Sequence, residues 1–278
     1  MQLFHDVCAQ CSKLTTDRYS TSFSTAIRLL HPQLRQPIHN IYGFVRFADE
    51  IVDSFHGYDQ ANLLHSFEQQ TFEAIDARIS THPIIQSFQL TVHQYDIDLA
   101  LVNAFFTSMK MDLHSISYDR DRYDNYIYGS AESVGLMCLH VFCEGDHKLY
   151  ASLKASAQSL GAAFQKINFL RDIKDDHALL ARTYFPGCDI SRFDAVDKQQ
   201  IEAEIKIDFE KAYAGILQLP VKARFGVYVA YKYYLSLFRR IRKLHHSKIM
   251  LERIRVPNVN KALIVLRAGV KNQLGMIG

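Results

Sequence analysis

The chain has 278 residues, of which 48% are hydrophobic and 22% charged, and its net charge is +3. This composition is typical of a folded globular protein and excludes a disordered or fibrous chain. No apolar run approaches the ~18 residues that a membrane-spanning helix needs, and the N-terminus has no cationic segment followed by an apolar one. We therefore expect a cytoplasmic protein.

The charge is distributed unevenly. Val221–Gly278 carries 13 Lys and Arg residues against one acid, whereas the first 220 residues carry 19 basic and 28 acidic residues. Such a basic region attracts phosphate groups or anionic lipid, but a solvated face that balances an acidic body explains it equally well. Peripheral contact with an anionic inner membrane surface stays open. Because no recognisable motif for it is present, we expect no nucleic-acid partner.

Helical periodicity runs through almost the whole sequence, and Gly and Pro mark its breaks. The predicted helices are Leu3–Leu14, Ser20–Leu30, Pro37–Phe55, Ala61–Ile79, Ile84–Tyr95, Asp98–His114, Asp121–Val141, Asp146–Leu180, Lys198–Leu217, Val221–His245 and Asn258–Leu274. Residues 181–198 are predicted to be the longest loop. With no alternating strands and no Gly-rich phosphate loop, about ten helices joined by short connections predict one all-α domain over residues 1–278.

Two polar stripes lie on otherwise apolar helices. In the first, Asp49 and Asp53 are four residues apart, and with Tyr42 and Arg46 they fall within an arc of about 60° on an ideal helix. The second is Gln165, Asn168, Asp172 and Asp176, within an arc of about 80°. One such Asp pair is common by chance on a solvent-facing helix. Two pairs among Ile, Val, Phe and Leu instead predict buried carboxylates that share a divalent cation.

The residue types in these stripes favour magnesium and a diphosphate. Mg²⁺ prefers oxygen ligands and shares them with substrate phosphates. Arg46, and Arg171 if its side chain reaches the site, would donate charge-assisted hydrogen bonds to phosphate oxygens. A metal-bound diphosphate is a good leaving group, and the carbocation it leaves behind needs a dry, aromatic pocket. A few of the 18 Phe and 15 Tyr residues would line that pocket, while most belong to the core.

A run of small residues, Gly129, Ser130, Ala131 and Gly135, lies within the predicted helix Asp121–Val141. Each Gly costs roughly 1 kcal/mol of helix stability relative to Ala. We infer that something approaches this backbone closely. A long prenyl chain and tight packing between helices explain the run equally well.

Five motifs, in this order, resemble the squalene/phytoene synthase family, and most closely the bacterial phytoene synthases of carotenoid biosynthesis. They are SxSF (Ser20–Phe23), YxFxRxADEIVD (Tyr42–Asp53), YIYGSAESVGLMC (Tyr126–Cys138), QKINFLRDIKDD (Gln165–Asp176) and ARTYFP (Ala181–Pro186). The resemblance spans nearly the whole chain. It implies a single-domain, all-α isoprenoid-synthase fold with a central cavity between the two aspartate-rich helices.

The resemblance also implies a set of site residues. Asp49, Asp53, Asp172 and Asp176 would hold the Mg²⁺–diphosphate clusters, with Asn168 as a further ligand and Arg46, Arg171 and Gln165 beside them. Ser20, Ser22 and Phe23 match the segment that covers the pocket, and Tyr42, Tyr128 and Val134 match positions that line it. Two or three Mg²⁺ ions are expected, Mn²⁺ can substitute for them, and no NADPH is expected.

The implied reaction is the head-to-head condensation of two geranylgeranyl diphosphates to phytoene through a cyclopropylcarbinyl diphosphate. The alternative is a C30 synthase that makes dehydrosqualene or hydroxysqualene from two farnesyl diphosphates. A third alternative, an inactive family member that acts as an assembly factor, is disfavoured because all four aspartates are present. The C-terminal segment HHSKIMLERIRVP departs from the family pattern, and Arg253, Arg255 and Lys261 are candidate substitutes for its phosphate ligands.

Overall fold

The computed structural model describes residues 1–114, 118–180, 184–187, 193–251, 254, 257–275 and 277, with the side chains of 174–180 and 258 excepted. The helices are α1 (Gln2–Tyr19), α2 (Thr21–Arg28), α3 (Pro32–Ser54), α4 (Gln60–Ala77), α5 (Pro83–Tyr95), α6 (Leu99–Met111), α7 (Arg120–Ile127), α8 (Ser133–Cys143), α9 (His147–Leu180), α10 (Ala195–Ile216), α11 (Val221–Lys243), α12 (His246–Ile249) and α13 (Asn258–Gln273). A π-helical turn, Tyr128–Glu132, joins α7 to α8. Across these ranges there is no strand, and the all-α prediction is confirmed.

Short polar side chains begin many of the helices. Asp59, Asp98 and Asp119 each accept a hydrogen bond from a backbone N–H in the first turn of α4, α6 and α7. Asp194 and Asp197 form a reciprocal capping box that starts α10. These hydrogen bonds satisfy first-turn backbone N–H groups that have no partner inside the helix. They explain why the helices begin at these residues.

Several regions differ from the sequence prediction. Helix α1 continues to Tyr19 instead of Leu14, α10 begins at Ala195 inside the predicted loop 181–198, and the short helix α12 was not predicted. Helix α3 begins at Pro32 instead of Pro37, and Pro37 lies inside it. Because a proline suits the first turn of a helix, either residue was compatible with the start. The predicted helix Asp121–Val141 is divided by the π turn, in which the backbone hydrogen bonds span five residues instead of four.

The core is built around two long helices. Helix α3 packs against α1, α5 and α8, and the 34-residue α9 packs along α8, α10 and the π turn. Inside the first group, the rings of Phe44 and Phe88 stack with centroids 3.8 Å apart and planes 4° from parallel. Buried side chains from α2 to α13 join one continuous hydrophobic cluster, so α3 and α9 are held against a common core.

The small residues around the π turn permit close packing of helices. A Cβ at Gly129 would collide with the Ala104 carbonyl on α6, and a Cβ at Gly161 on α9 would lie 2.6 Å from the Ala131 carbonyl oxygen. Gly135, in contrast, borders an internal cavity. The structure therefore shows tight helix packing at Gly129 and Gly161, and the approach of a prenyl chain at Gly135 stays a prediction.

Candidate active site

An apolar cavity of about 290 Å³ lies between α2, α3, α8, α9, α10 and α11. Most of its wall is aliphatic or aromatic, with contributions from Ile27 on α2, from Leu30 just after α2, and from Val134 and Leu139 on α8. Its polar positions include Gln165 and Asn168 on α9, which belong to the second predicted stripe. The cavity thus has a long apolar interior and a polar edge on α9.

Four aromatic rings cluster beside this polar edge. Phe164 and Tyr234 are stacked, with centroids 3.8 Å apart and planes 16° from parallel. Phe23 contacts both of them and the ring of Tyr42, at centroid distances of 5.8 to 6.1 Å. All four line the cavity. Burial raises the pKa of Tyr42 to about 12 and also raises that of Tyr234, so both phenols are neutral at physiological pH.

The first aspartate pair lies further along α3. Seven residues, about 10.5 Å, separate Asp49 from Tyr42, and two helical turns return to the same face. Burial and, to a smaller extent, the charge of Asp53 together raise the pKa of Asp49 to about 7, while Arg46 acts in the opposite direction. The Arg46 guanidinium forms ion pairs with Asp49 and Glu50 and lies 4.4 Å from the centre of the Tyr19 ring. A bound cation would reduce the electrostatic repulsion between the Asp49 and Asp53 carboxylates.

The second aspartate position lies one turn beyond the polar edge on α9. Asp172 is four residues, about 6 Å, from Asn168. Arg171 binds the Asp172 carboxylate with two hydrogen bonds, from Nε to Oδ1 at 2.9 Å and from a terminal nitrogen to Oδ2 at 2.5 Å. Tyr234 donates a hydrogen bond to Asn168 Oδ1 at 3.4 Å. The side chain of Asp176 lies outside the described residues.

The donor chemistry of these residues fits magnesium. Asp49, Asp53, Asp172 and Asn168 all offer hard oxygen ligands, and the charges of Asp49 and Asp53 lie close enough that the second raises the pKa of the first. Among the side chains that the structure describes, no three from His, Cys, Asp and Glu are grouped so that they would hold a metal ion. Arg46 and Arg171 are paired with Asp49 and Asp172, so binding of a cation by these carboxylates would require both guanidinium groups to move away. A diphosphate is the new partner that their positive charge favours.

The other site residues predicted from the sequence lie outside the two aspartate stripes. Ser20 accepts a hydrogen bond from the Phe23 backbone N–H at 3.2 Å, and its hydroxyl lies close enough to Tyr42 to oppose, in part, the rise that burial causes in the pKa of Tyr42. Ser22 and Tyr128 are half-buried and are not among the residues that line the cavity. Lys261 donates to Thr21 Oγ1 at 2.9 Å and so lies against α2. Arg253 and Arg255 lie outside the described residues.

Three residues of this region are absent from the sequence prediction. Phe164 is four residues before Asn168 and so shares its helix face, a signal that the periodicity did offer. Tyr234 is one of several buried tyrosines on α11, and nothing in their spacing distinguishes it. Asp112 is a buried carboxylate that accepts hydrogen bonds from Tyr126 at 2.7 Å and Tyr184 at 3.2 Å, and its charge raises the pKa of Asp49. It lies alone at the end of α6, without an Asp one turn away.

The all-helical fold is shared with solved structures of the isoprenoid synthase fold. A dehydrosqualene synthase superposes with a TM-score of 0.84 over 98% of both chains, at 20% sequence identity. The squalene synthase HpnC from Alicyclobacillus acidocaldarius superposes with a TM-score of 0.72 over 86% of this chain and 93% of its own, at 21% identity. The fold prediction is confirmed.

The chain belongs to the squalene/phytoene synthase family, whose model matches residues 16–260. A 15-cis-phytoene synthase of a Paracoccus species is 25% identical over 81% of this chain and 79% of its own length. Phytoene synthase 1 of Arabidopsis thaliana is 25% identical over 87% of this chain, and the match spans only 60% of that longer protein. No described helix has both the length and the apolar character needed to cross a membrane.

Proposed function

We propose that this chain is a prenyltransferase that condenses two geranylgeranyl diphosphates head to head to form phytoene, with Mg²⁺ as its cofactor. The reaction proceeds through a cyclopropylcarbinyl diphosphate and releases two diphosphates and two protons, one proton when the cyclopropane ring closes and one when the final double bond forms. The observation that carries the proposal is the apolar cavity, whose aromatic edge includes Tyr42 and Phe164 on the two helices, α3 and α9, that carry the predicted aspartate stripes. The relatives named phytoene synthase in Paracoccus, Arabidopsis and other organisms support the C40 product.

The polar edge of the cavity is the place for the diphosphates. Asp49, Asp53, Asp172 and Asn168, together with Asp176, would hold Mg²⁺, which neutralises the charge that develops on the leaving diphosphate. Arg46 and Arg171 would exchange their carboxylate partners for phosphate oxygens, because guanidinium groups bind both in the same bidentate geometry.

The aromatic rings lie where the substrate loses its leaving group. The cavity excludes water from the prenyl chains, so a carbocation formed there would react with the neighbouring double bond instead of being hydrolysed. The faces of Phe23, Tyr42, Phe164 and Tyr234 carry partial negative charge, which stabilises a cation in a desolvated site. The apolar interior would hold the two prenyl chains beside each other.

The alternative is the C30 reaction, in which two farnesyl diphosphates give dehydrosqualene. The dehydrosqualene synthase that superposes over 98% of both chains supports this alternative. Both reactions would use the same aspartates and rings, and they differ only in the length of chain that the cavity accepts.

Release of inorganic diphosphate tests the proposal at the aspartates. The protein would be incubated with Mg²⁺ and either the C15 or the C20 diphosphate, and again with EDTA. We expect release with Mg²⁺ and none with EDTA. Asp49→Asn and Asp172→Asn should each lower the rate at least about a hundredfold, because the charge stabilisation that metal binding supplies is worth several kcal/mol.

Glu68→Gln is the matched control. Glu68 is a carboxylate on α4 whose ion pair with Lys110, at 2.7 Å, lies outside the cavity. This variant should keep the rate of the unaltered protein, and circular dichroism should show the same helix content in all variants. No release from either substrate would refute the proposal, and full activity of Asp49→Asn would place the metal elsewhere.

A further inference from the structure

The outward face of α13 carries an apolar stripe. Its members are Val259, Leu263, Leu266, Val270 and Leu274, which are between 43% and 71% exposed. On an ideal helix these five positions fall within an arc of about 80°. Single exposed apolar residues are common at protein surfaces, but five on one helix face form a continuous patch that indicates an interaction surface.

The opposite face of α13 holds the helix on the protein. Ala268 is buried, and Ile264 and Val265 pack against the hydrophobic core. Lys261 donates its hydrogen bond to Thr21 on α2. The helix is therefore anchored by its inner face, and the apolar stripe points away from the bundle.

Basic residues lie along one side of this stripe. Arg267 and Lys271 are exposed and follow the stripe on one side of the helix, at about 80° and 120° from Val259. Lys271 of α13 and Arg239 of α11 lie close enough to Lys232 of α11 for their positive charges to lower its pKa, although burial is the larger cause. Among the described residues, none of these four cations forms an ion pair with a carboxylate. On the part of the chain that the structure describes, this surface thus combines exposed apolar side chains with cations that have no carboxylate partner; of the four, Lys232 lies over the rings of Tyr213, Tyr228 and Tyr231.

We propose that the outer face of α13 docks on an anionic lipid bilayer. The five apolar side chains enter the boundary between headgroups and acyl chains, and Arg267 and Lys271 contact the phosphates of the headgroups. This arrangement is the one found in amphipathic helices that lie in the plane of a membrane surface. The docking itself does not depend on the reaction proposed above.

The charge balance favours this occupant over a second copy of the chain. From Val221 onward there are 13 basic residues and one acidic residue, so pairing two such faces would place like charges against each other. Leu3 and Val7 on α1 are also exposed, but α1 lacks this excess of positive charge. Apart from His5, its two basic side chains, Lys13 and Arg18, are balanced by Asp6 and Asp17. Leu3 and Val7 therefore provide a matched apolar control.

Sedimentation with vesicles tests the proposal without any substrate. The full chain would be mixed with vesicles of phosphatidylcholine, with or without phosphatidylglycerol, at about 50 mM and about 500 mM salt. We expect binding only to the anionic vesicles and weaker binding at the higher salt concentration. Leu263→Gln/Leu266→Gln should weaken it at least about tenfold. Arg267→Gln/Lys271→Gln should weaken it about fivefold for each charge removed.

Leu3→Gln/Val7→Gln should bind as the unaltered chain does, and circular dichroism should show the same helix content in every variant. Equal binding by the α13 and α1 variants would overturn the proposal, and so would binding that ignores anionic lipid. A dimer in sedimentation velocity that Leu263→Gln/Leu266→Gln dissociates would also overturn it, because the stripe would then bind a second copy. Loss of diphosphate release with vesicle binding intact would count against the proposed function alone.

Discussion

Tyr234 provides a direct test of how the cavity stabilises positive charge. Its ring is stacked on Phe164 at 3.8 Å and borders the cavity beside Asn168. A cation over a desolvated aromatic ring gains about 2 kcal/mol. Removal of the ring in Tyr234→Leu should therefore lower kcat about 30-fold. The KM should change little, because the prenyl chain is uncharged until its diphosphate leaves.

Two further variants separate the ring from its hydroxyl and from ordinary packing. Tyr234→Phe keeps the ring and loses only the hydrogen bond to Asn168, so its kcat should stay within a few-fold of the unaltered value. Tyr233→Leu removes a neighbouring buried tyrosine that does not line the cavity. Steady-state kinetics with the preferred diphosphate would be measured for all three. An equal loss of kcat in Tyr234→Leu and Tyr233→Leu would refute the reasoning, because packing would then explain both.

Two predictions concern stability. His39 is buried and its pKa is lowered to about 4, chiefly by burial. An unfolded chain binds this proton near pH 6.5, so stability should fall as the pH drops from about 6.5 towards 4, by about 2 kcal/mol at pH 5. Urea unfolding in EDTA should show this loss in the unaltered protein and not in His39→Leu; equal losses would contradict it. Gly161→Ala should destabilise the protein by about 1–3 kcal/mol, because the added Cβ would lie against the Ala131 carbonyl. Gly269→Ala is the control: its added Cβ would have no atom within 4 Å, so the urea midpoint of unfolding should not fall.

The helix periodicity was sufficient to predict the polar stripes. Asp49 and Asp53 are one turn apart on a helix, and the structure shows the electrostatic effect of one on the other. Gln165 and Asn168 were predicted from the same rule, and both border the cavity. These relations are local, because the geometry of a single helix determines them.

Features that depend on several helices could not be predicted. The π turn Tyr128–Glu132 lies where α6 and α9 both approach closely, and the sequence of this segment fits an uninterrupted helix equally well. Tyr228, Tyr231 and Tyr233 of α11 are buried like Tyr234, but only Tyr234 lines the cavity. Which tyrosine faces the cavity depends on the rotation of α11 against its neighbours, and that rotation has no signature in the spacing.

The ion pairs of Arg46 and Arg171 could not be predicted from the sequence either. Arg46 and Arg171 were predicted to face a diphosphate, and in the structure each binds an aspartate of its own helix. Side-chain pairing depends on which partner is present, since a guanidinium binds a carboxylate or a phosphate with similar geometry. Their role in binding a diphosphate stays a prediction.

The central claim is that this chain joins two prenyl diphosphates head to head, and the mass of the product tests it most directly. Purified protein would be incubated with Mg²⁺ and either geranylgeranyl or farnesyl diphosphate, and the extracted hydrocarbons would be identified by mass spectrometry. We predict a C40 hydrocarbon with the mass of phytoene from the C20 substrate. A C30 product from the C15 substrate alone would replace the proposed substrate with the alternative, and the absence of any C30 or C40 hydrocarbon would contradict the claim.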